Sequence, residues 1–217
     1  MSIRILVADD HRMLRDGLRS ILKKYPHMEV VGEAADGRTA VQLADQLTPD
    51  VVVMDISMRD MNGIEATRKI KAASPQVKVI ALSMHSDKRY ALEMLEAGAS
   101  GYVLKGAASS ELVQAIELAI EGKQYLSPEI TGMVVSSYVG RQFPTDGSAC
   151  ALLSVREREV LQLLAEGKTS KQIAAALHMS DRTADTHRRN IMKRLDLHSI
   201  AELTKFAVRE GLTPLER

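Results

Sequence analysis

Along its first 120 residues the chain alternates short apolar runs with segments whose apolar positions recur every three or four residues. The runs are Ile3–Ala8, Met28–Gly32, Val51–Met54, Val77–Leu82 and Gly101–Leu104. Most are continuously apolar rather than alternating, the pattern of parallel strands buried on both faces. Between them the period shifts to that of amphipathic helices at Met13–Lys24, Gly37–Gln46, Gly63–Ala73, Lys88–Ala97 and Ser110–Ile120. Five βα units in succession predict a doubly wound α/β domain with five parallel strands, in the flavodoxin-like order 2-1-3-4-5.

The pattern changes near residue 121. Ser127-Pro128-Glu129 reads as a helix start, an N-cap followed by proline at the first helical position, with the helix running to about Val139. RQFPTDGSAC then gathers Pro, Asp, Gly and Ser into a linker. The expected division is residues 1–120, a linker with one helix over 121–147, and a second domain over 148–217. That last segment reads as four short helices without strands. Ser154–Glu157, Thr169–Gln172 and Ser199–Glu202 each fit a capping box, in which a hydroxyl and a residue three positions on satisfy each other's backbone N–H groups.

Composition narrows the class. The 217 residues are 45% hydrophobic and 26% charged, as in ordinary globular proteins. No apolar stretch is long enough to span a membrane and no signal peptide is visible, so no membrane partner is expected. The single cysteine, Cys150, cannot pair within the chain, which fits a reducing cytoplasm. Net charge is +1 but uneven: residues 1–120 hold 15 Lys+Arg against 16 Asp+Glu, and residues 148–217 hold 12 against 9.

Ligands of open α/β sheets bind beyond the carboxyl ends of the strands. Here those ends carry Asp9 and Asp10 after strand 1, Asp55 after strand 3, Ser83 after strand 4 and Lys105 after strand 5. Carboxylates crowded at a switch point raise one another's pKa unless a cation joins them. Oxygen ligands with open positions suit Mg²⁺, Lys105 suits a phosphoryl oxygen, and Ser83 offers a hydroxyl. This set equips phosphoryl transfer, with Asp55 as the carboxylate nucleophile.

In the second domain, Ser170–Leu177, a His178-Met179-Ser180 turn and Asp181–Leu195 give helix-turn-helix spacing. Ala184, Ile191 and Leu195 form one apolar stripe of the longer helix, while Arg182, Asp185, Thr186, Arg189 and Lys193 share another face. Such a face fits the DNA major groove. Arg189 suits a guanine edge, Asp185 a cytosine amino group and Thr186 a thymine methyl. Lys171, Arg182, Arg188 and Lys193 suit phosphates, and His187 either a phosphate or a packed position.

IRILVADDHRMLRDGL, VVVMDISMRDMNGIEATRKI, VKVIALSMH and AGASGYVLKGAASSEL resemble the receiver domain of bacterial two-component response regulators. LLSVREREVLQLLAEGKTSKQIAAALHMSDRTADTHRRNIMKRLDLHSIAELTKFAVREGL, spanning residues 152–212, resembles the LuxR-type helix-turn-helix. Together they resemble the NarL/FixJ class. That resemblance implies that Asp55 accepts phosphate from a sensor histidine kinase. It implies Mg²⁺ held by Asp10, Asp55 and the Ser57 carbonyl with Asp9 assisting through water, and Ser83 and Lys105 on the phosphoryl group. Tyr102 would be the aromatic that shifts with Ser83, and the phosphorylated form a homodimer on double-stranded DNA. The last helix, with Ala201, Leu203, Phe206 and Ala207, is the family's dimer surface, although core packing explains the same residues.

Four positions depart from the family patterns: Arg59 and Gly106 stand where proline is usual in the receiver, and Arg182 and Ala184 where lysine and valine are more usual in the LuxR-type domain. Arg59 frees the loop after Asp55 without displacing the acids. Two other readings stay open on sequence alone. One is an aspartate-nucleophile phosphatase, for which the usual second acid two residues on is here Ser57. The other is a DNA-binding regulator controlled without phosphorylation.

Overall fold

The computed structural model describes residues 2–84, 88–139 and 152–213, without the side chains of residues 88, 133 and 135–139. Cys150 and the Pro/Gly-rich part of the expected linker lie outside these residues. The chain divides into two compact units, residues 1–141 and 142–217.

In the first unit, strands β1 (Ile3–Ala8), β2 (Met28–Ala34), β3 (Val51–Asp55), β4 (Lys78–Ser83) and β5 (Gly101–Leu104) alternate with helices α1 (Arg12–Leu22), α2 (Gly37–Leu47), α3 (Gly63–Ala73), α4 (Lys88–Glu96) and α5 (Ser109–Ile120). All neighbouring strands run parallel in the order β2-β1-β3-β4-β5-β6. The predicted order is correct and the predicted count of five is one short. The sixth strand, β6 (Tyr125–Leu126), is too brief to show any periodicity, and it pairs Gly101 with Tyr125 and Tyr102 with Leu126.

Side-chain alternation along the strands divides the core. Leu6, Val52, Met54, Val79, Ala81 and Tyr102 face the layer of α2, α3 and α4. Ile5, Val7, Val51, Val53, Ile80, Leu82 and Val103 face α1 and α5. Residues 121–139, expected within the linker, include β6 and α6 (Pro128–Val139), and Ile130 and Val134 of α6 are buried in the same core as Tyr102 and Met94. Ser127 is fully buried, and its hydroxyl meets the Leu104 N–H at 3.3 Å and the Glu111 carboxylate at 3.2 Å. Tyr125 donates to the same carboxylate at 2.9 Å, and burial with that acid pushes its phenol up to about 12.

Among the described residues the second unit is the expected set of four helices: α7 (Val155–Ala165), α8 (Ser170–Ala176), α9 (Asp181–Leu195) and α10 (Ile200–Arg209). All three capping boxes form in both directions. The turn between α8 and α9 holds His178 at φ 52°, and Ser180 caps α9 by accepting from the Thr183 N–H at 3.1 Å. Ala184 and Ile191 are buried against α7 and α10 residues, with Leu195 packed alongside. Leu203, Phe206 and Ala207 belong to this core. Core packing is therefore their role, and only Ala201 of the four α10 residues singled out remains exposed.

Candidate functional site

The apolar run of β3 ends by carrying Asp55 to the rim of the sheet, and β1 does the same for Asp9 and Asp10. Asp9 and Asp55 are nearly inaccessible, at 1% and 2% exposure. Lys105, following β5, reaches both: its Nζ lies 2.8 Å from Asp9 Oδ2 and 2.9 Å from Asp55 Oδ2. Its main-chain N–H donates to the Ser83 carbonyl at 2.7 Å, which ties the ends of β4 and β5 together. Burial and the neighbouring Asp9 push the Asp55 carboxyl above the ordinary aspartate range, and Lys105 only partly opposes them. Burial pulls the Lys105 ammonium down, but Asp55 and Asp9 outweigh it and hold it above the ordinary lysine range.

The sequence-predicted residues Asp9, Asp10, Asp55 and Lys105 are thus brought together, with Ser83, 1% exposed, at the adjoining strand end. Ser57 donates its N–H to Asp55 Oδ1 at 3.3 Å. Tyr102 sits one strand away in the sheet core, opposite Ala81 and fully buried.

The loop after Asp55 is held at both sides. Met58 and Met61 are buried, Asp60 adopts φ 61°, and the Met61 N–H donates to the Arg59 carbonyl at 2.7 Å. Arg59 is exposed on this turn, so the loss of the family's proline leaves the acids where they belong. Asn62 caps α3, accepting from the Glu65 N–H at 2.9 Å. Gly63 then lies so close that a Cβ there would stand 2.0 Å from the Asp55 carbonyl oxygen.

Three contributors escaped the sequence reading. His11 directs Nδ1 at Asp10 Oδ1 (2.8 Å) and Asp9 Oδ1 (3.3 Å). Arg15 donates to the Asp9 carbonyl at 2.6 Å and pairs with Glu33 of β2, joined there by Arg19. Gly63 sets the approach of α3 to Asp55. Adjacency to the acid pair was the available signal for His11; the other two depend on packing between distant segments.

Carboxylate oxygens of Asp9, Asp10 and Asp55 and one ring nitrogen of His11 all lie within 4.8 Å of one another. Three acids, two of them almost wholly buried, form a hard-oxygen donor set of the kind Mg²⁺ uses, so the residues present fit that ion.

On α9, Arg182, Thr186, Arg189 and Lys193 are exposed, as is Lys171 on α8. Thr186 bonds back to the Arg182 carbonyl at 2.8 Å. Asp185 instead joins the two helices: it accepts from the Ser170 hydroxyl at 2.7 Å and lies 3.4 Å from Arg188. His187 is half-buried. Arg194, also unforeseen, clasps α9 to the start of α7 through the Leu152 carbonyl (3.1 Å) and Glu157 (2.9 Å). Burial would push the Glu157 carboxyl up, but the Ser154 N–H and hydroxyl and Arg194 hold it below the ordinary range.

An acid-lined switch point on a parallel sheet, followed by a helix-turn-helix, defines a receiver joined to a DNA-binding module. The family described as response regulator receiver domain matches residues 5–117, and that of bacterial regulatory proteins of the luxR family matches residues 151–207. The chain is 37% identical over 214 residues to the oxygen regulatory protein NreC of Staphylococcus carnosus, covering 97% of this chain and 99% of that protein. It is 36% identical over 214 residues to the response regulator UvrY of Escherichia coli, covering 99% and 97%. RcsB of Salmonella enterica serovar Typhimurium, solved bound to a promoter with the phosphomimetic BeF3⁻, superposes with a TM-score of 0.62 at 25% identity, covering 95% of this chain and 98% of that one. The chain belongs to the NarL/FixJ class of two-component response regulators. It is a two-component transcription regulator. Among the described residues no helix is long and apolar enough to cross a membrane.

Proposed function

We propose that Asp55 is the phosphoryl acceptor and that its phosphorylation by a sensor histidine kinase switches the chain to a DNA-binding homodimer in the cytoplasm. The observation that carries this reading is the buried triad of Asp9, Asp55 and Lys105, with Nζ within 2.9 Å of both acids. An Asp55 oxygen attacks the phosphorus of the kinase's phosphohistidine; a P–O bond forms, the P–N bond breaks, and the imidazole leaves with its electron pair.

Asp10, Asp55 and the Ser57 carbonyl would hold Mg²⁺, with Asp9 assisting through water. The ion supplies charge neutralisation for the transferring group. Lys105 exchanges its contact with the Asp55 carboxylate for a phosphoryl oxygen, and Ser83 donates its hydroxyl to another. Drawing Ser83 inward opens space along β4 beside Tyr102, so the acyl phosphate favours a different arrangement of that face. Autodephosphorylation by water closes the cycle, while Ser57 offers no acid for rapid turnover.

On DNA, Arg189 and Thr186 read base edges and Lys171, Arg182, Arg188 and Lys193 position the helix on phosphates. Asp185, engaged with Ser170, acts on this reading through the α8–α9 joint as well as through a base. His187 takes a phosphate at the edge of the interface. RcsB dimers bound to DNA, in a structure with TM-score 0.59 at 25% identity, support the dimeric arrangement.

Selection of bound DNA sequences with and without a small phosphodonor tests the switch and the half-site spacing together. The expected result is enrichment of a two-fold symmetric site with the donor, lost in Asp55→Asn. Label uptake by Asp55→Ala equal to that of the wild type, or unchanged operator affinity in that variant, would overturn the proposal. Multiple turnover of a phosphomonoester would favour the phosphatase instead.

A further inference from the structure

His11 occupies the N-cap position of α1, where a side chain ordinarily turns to the helix's first N–H groups; here it makes no such bond. Its main-chain N–H donates to Asp9 Oδ1 at 2.8 Å, and its ring turns back so that Nδ1 stands 2.8 Å from Asp10 and 3.3 Å from Asp9. Around an ion with bonds of about 2.1 Å, adjacent octahedral donors lie about 3.0 Å apart and opposite ones about 4.2 Å. The Nδ1 distances are those of adjacent donors, and the 4.8 Å span of the whole group needs closure by only a few tenths of an ångström. The side chain is 72% exposed, so a small ring rotation toward an ion meets little packing resistance.

Ligand chemistry decides what such a site prefers. Magnesium takes oxygen donors and leaves an imidazole aside, whereas Co²⁺, Ni²⁺, Cu²⁺ and Zn²⁺ bind imidazole nitrogen well and follow a steep affinity order over Mg²⁺. We infer that the acid cluster also accepts a late first-row divalent ion, with His11 Nδ1 as a ligand beside Asp10 and Asp55, in competition with Mg²⁺. In that state the ion is held by one nitrogen and at least two carboxylate oxygens of this chain. In the magnesium state the ring stays outside the coordination sphere. This inference rests on the acids being a metal site, as the functional reading requires.

The test uses the full-length chain without an affinity tag, comparing wild type, His11→Ala, His11→Gln and Asp10→Asn. Dissociation constants for Mg²⁺ and Ni²⁺ are measured by calorimetry, and Cu²⁺ is followed by electron paramagnetic resonance. Mg²⁺ should displace Ni²⁺ from the wild type, His11→Ala should weaken Ni²⁺ by at least about tenfold while changing Mg²⁺ by less than about threefold, and Asp10→Asn should weaken both. The Cu²⁺ spectrum should show nitrogen coupling that His11→Ala and His11→Gln remove. Equal Ni²⁺ affinity in wild type and His11→Ala, with Mg²⁺ still bound, overturns this inference alone. Absence of Mg²⁺ binding in the wild type overturns the metal-site reading beneath it. Ni²⁺ affinity that Asp10→Asn leaves unchanged belongs to another histidine and likewise refutes the shared site.

Discussion

Gly63→Ala offers a test in which two physical effects point in opposite directions. Replacing glycine by alanine inside a helix ordinarily stabilises, by up to about 1 kcal/mol. At Gly63 the new methyl would lie 2.0 Å from the Asp55 carbonyl oxygen, 2.9 Å from its carbon and 3.0 Å from the Ile56 Cα. Ordinary contact begins near 3.4 Å, so backbone on one side must retreat by more than about 1 Å. Overpacking of this kind costs about 1–3 kcal/mol or more when rigid atoms are involved. The clash should win, leaving the variant destabilised by about 1–2 kcal/mol, and the displaced atoms include those of Asp55, the proposed acceptor.

Gly17→Ala in α1 is the matched control, because a Cβ there meets nothing within 4 Å. For a unit of this size, 1 kcal/mol moves Tm by about 3 °C. Differential scanning calorimetry of the first unit's transition should therefore show Gly17→Ala up by about 2 °C and Gly63→Ala down by about 3–6 °C. Uptake of label from a phosphodonor should fall in Gly63→Ala and hold in Gly17→Ala. A Gly63→Ala protein that melts at or above the wild type and is labelled at the wild-type rate would refute the claim that α3 braces Asp55.

Further outcomes come from the charges. The folded-state pKa of Asp55 lies above its unfolded value, so folding takes up a proton between the two and stability falls as pH rises through that window. Asp55→Asn should therefore melt higher than the wild type at neutral pH without Mg²⁺, with the gap closing toward about pH 4; parallel curves at every pH would contradict this. Lys105→Ala leaves two buried carboxylates facing each other without their ammonium. Urea unfolding should show a loss of about 3–5 kcal/mol, partly restored by Mg²⁺. Ser154→Ala removes one capping-box hydroxyl, worth about 1 kcal/mol, and should lower the second unit's Tm by about 4–8 °C. Lys193→Ala should weaken DNA binding evenly across sequences and reduce the salt slope by about 1, whereas Arg189→Ala should lose about 1–3 kcal/mol and relax one base position.

The parts of the fold that were legible in the sequence are those written locally. Apolar runs such as VVVMD announce a strand because every side chain in it must be buried. Ser-x-x-Glu and Thr-x-x-Gln announce helix starts because the cap is made within four residues. The acids at strand ends were legible for a related reason: strand order alone makes residues 9, 10 and 55 neighbours. What escaped depends on distant encounters. Tyr125–Leu126 is a strand only because Gly101 and Tyr102 lie beside it. Phe206 and Leu203 read equally as core or interface until α7 is seen to cover them. Asp185 carries the right chemistry for a base, yet Ser170, fifteen residues earlier, already uses one of its oxygens.

The brief β6 has a practical consequence for handling this molecule. Without it β5 would be an open edge, presenting main-chain donors and acceptors to any other strand in solution. Two residues suffice to cover Gly101 and Tyr102, the Ser127 N–H adds a last bond to the Tyr102 carbonyl at 3.0 Å, and at Pro128 the chain turns into α6. Beyond the proline, α6 places Ile130 in the core. A fragment of the receiver cut at residue 120 would therefore carry a sticky edge and an uncovered apolar hollow, and it would be prone to self-association for reasons unrelated to signalling. Fragments meant to report on the switch should extend through residue 139.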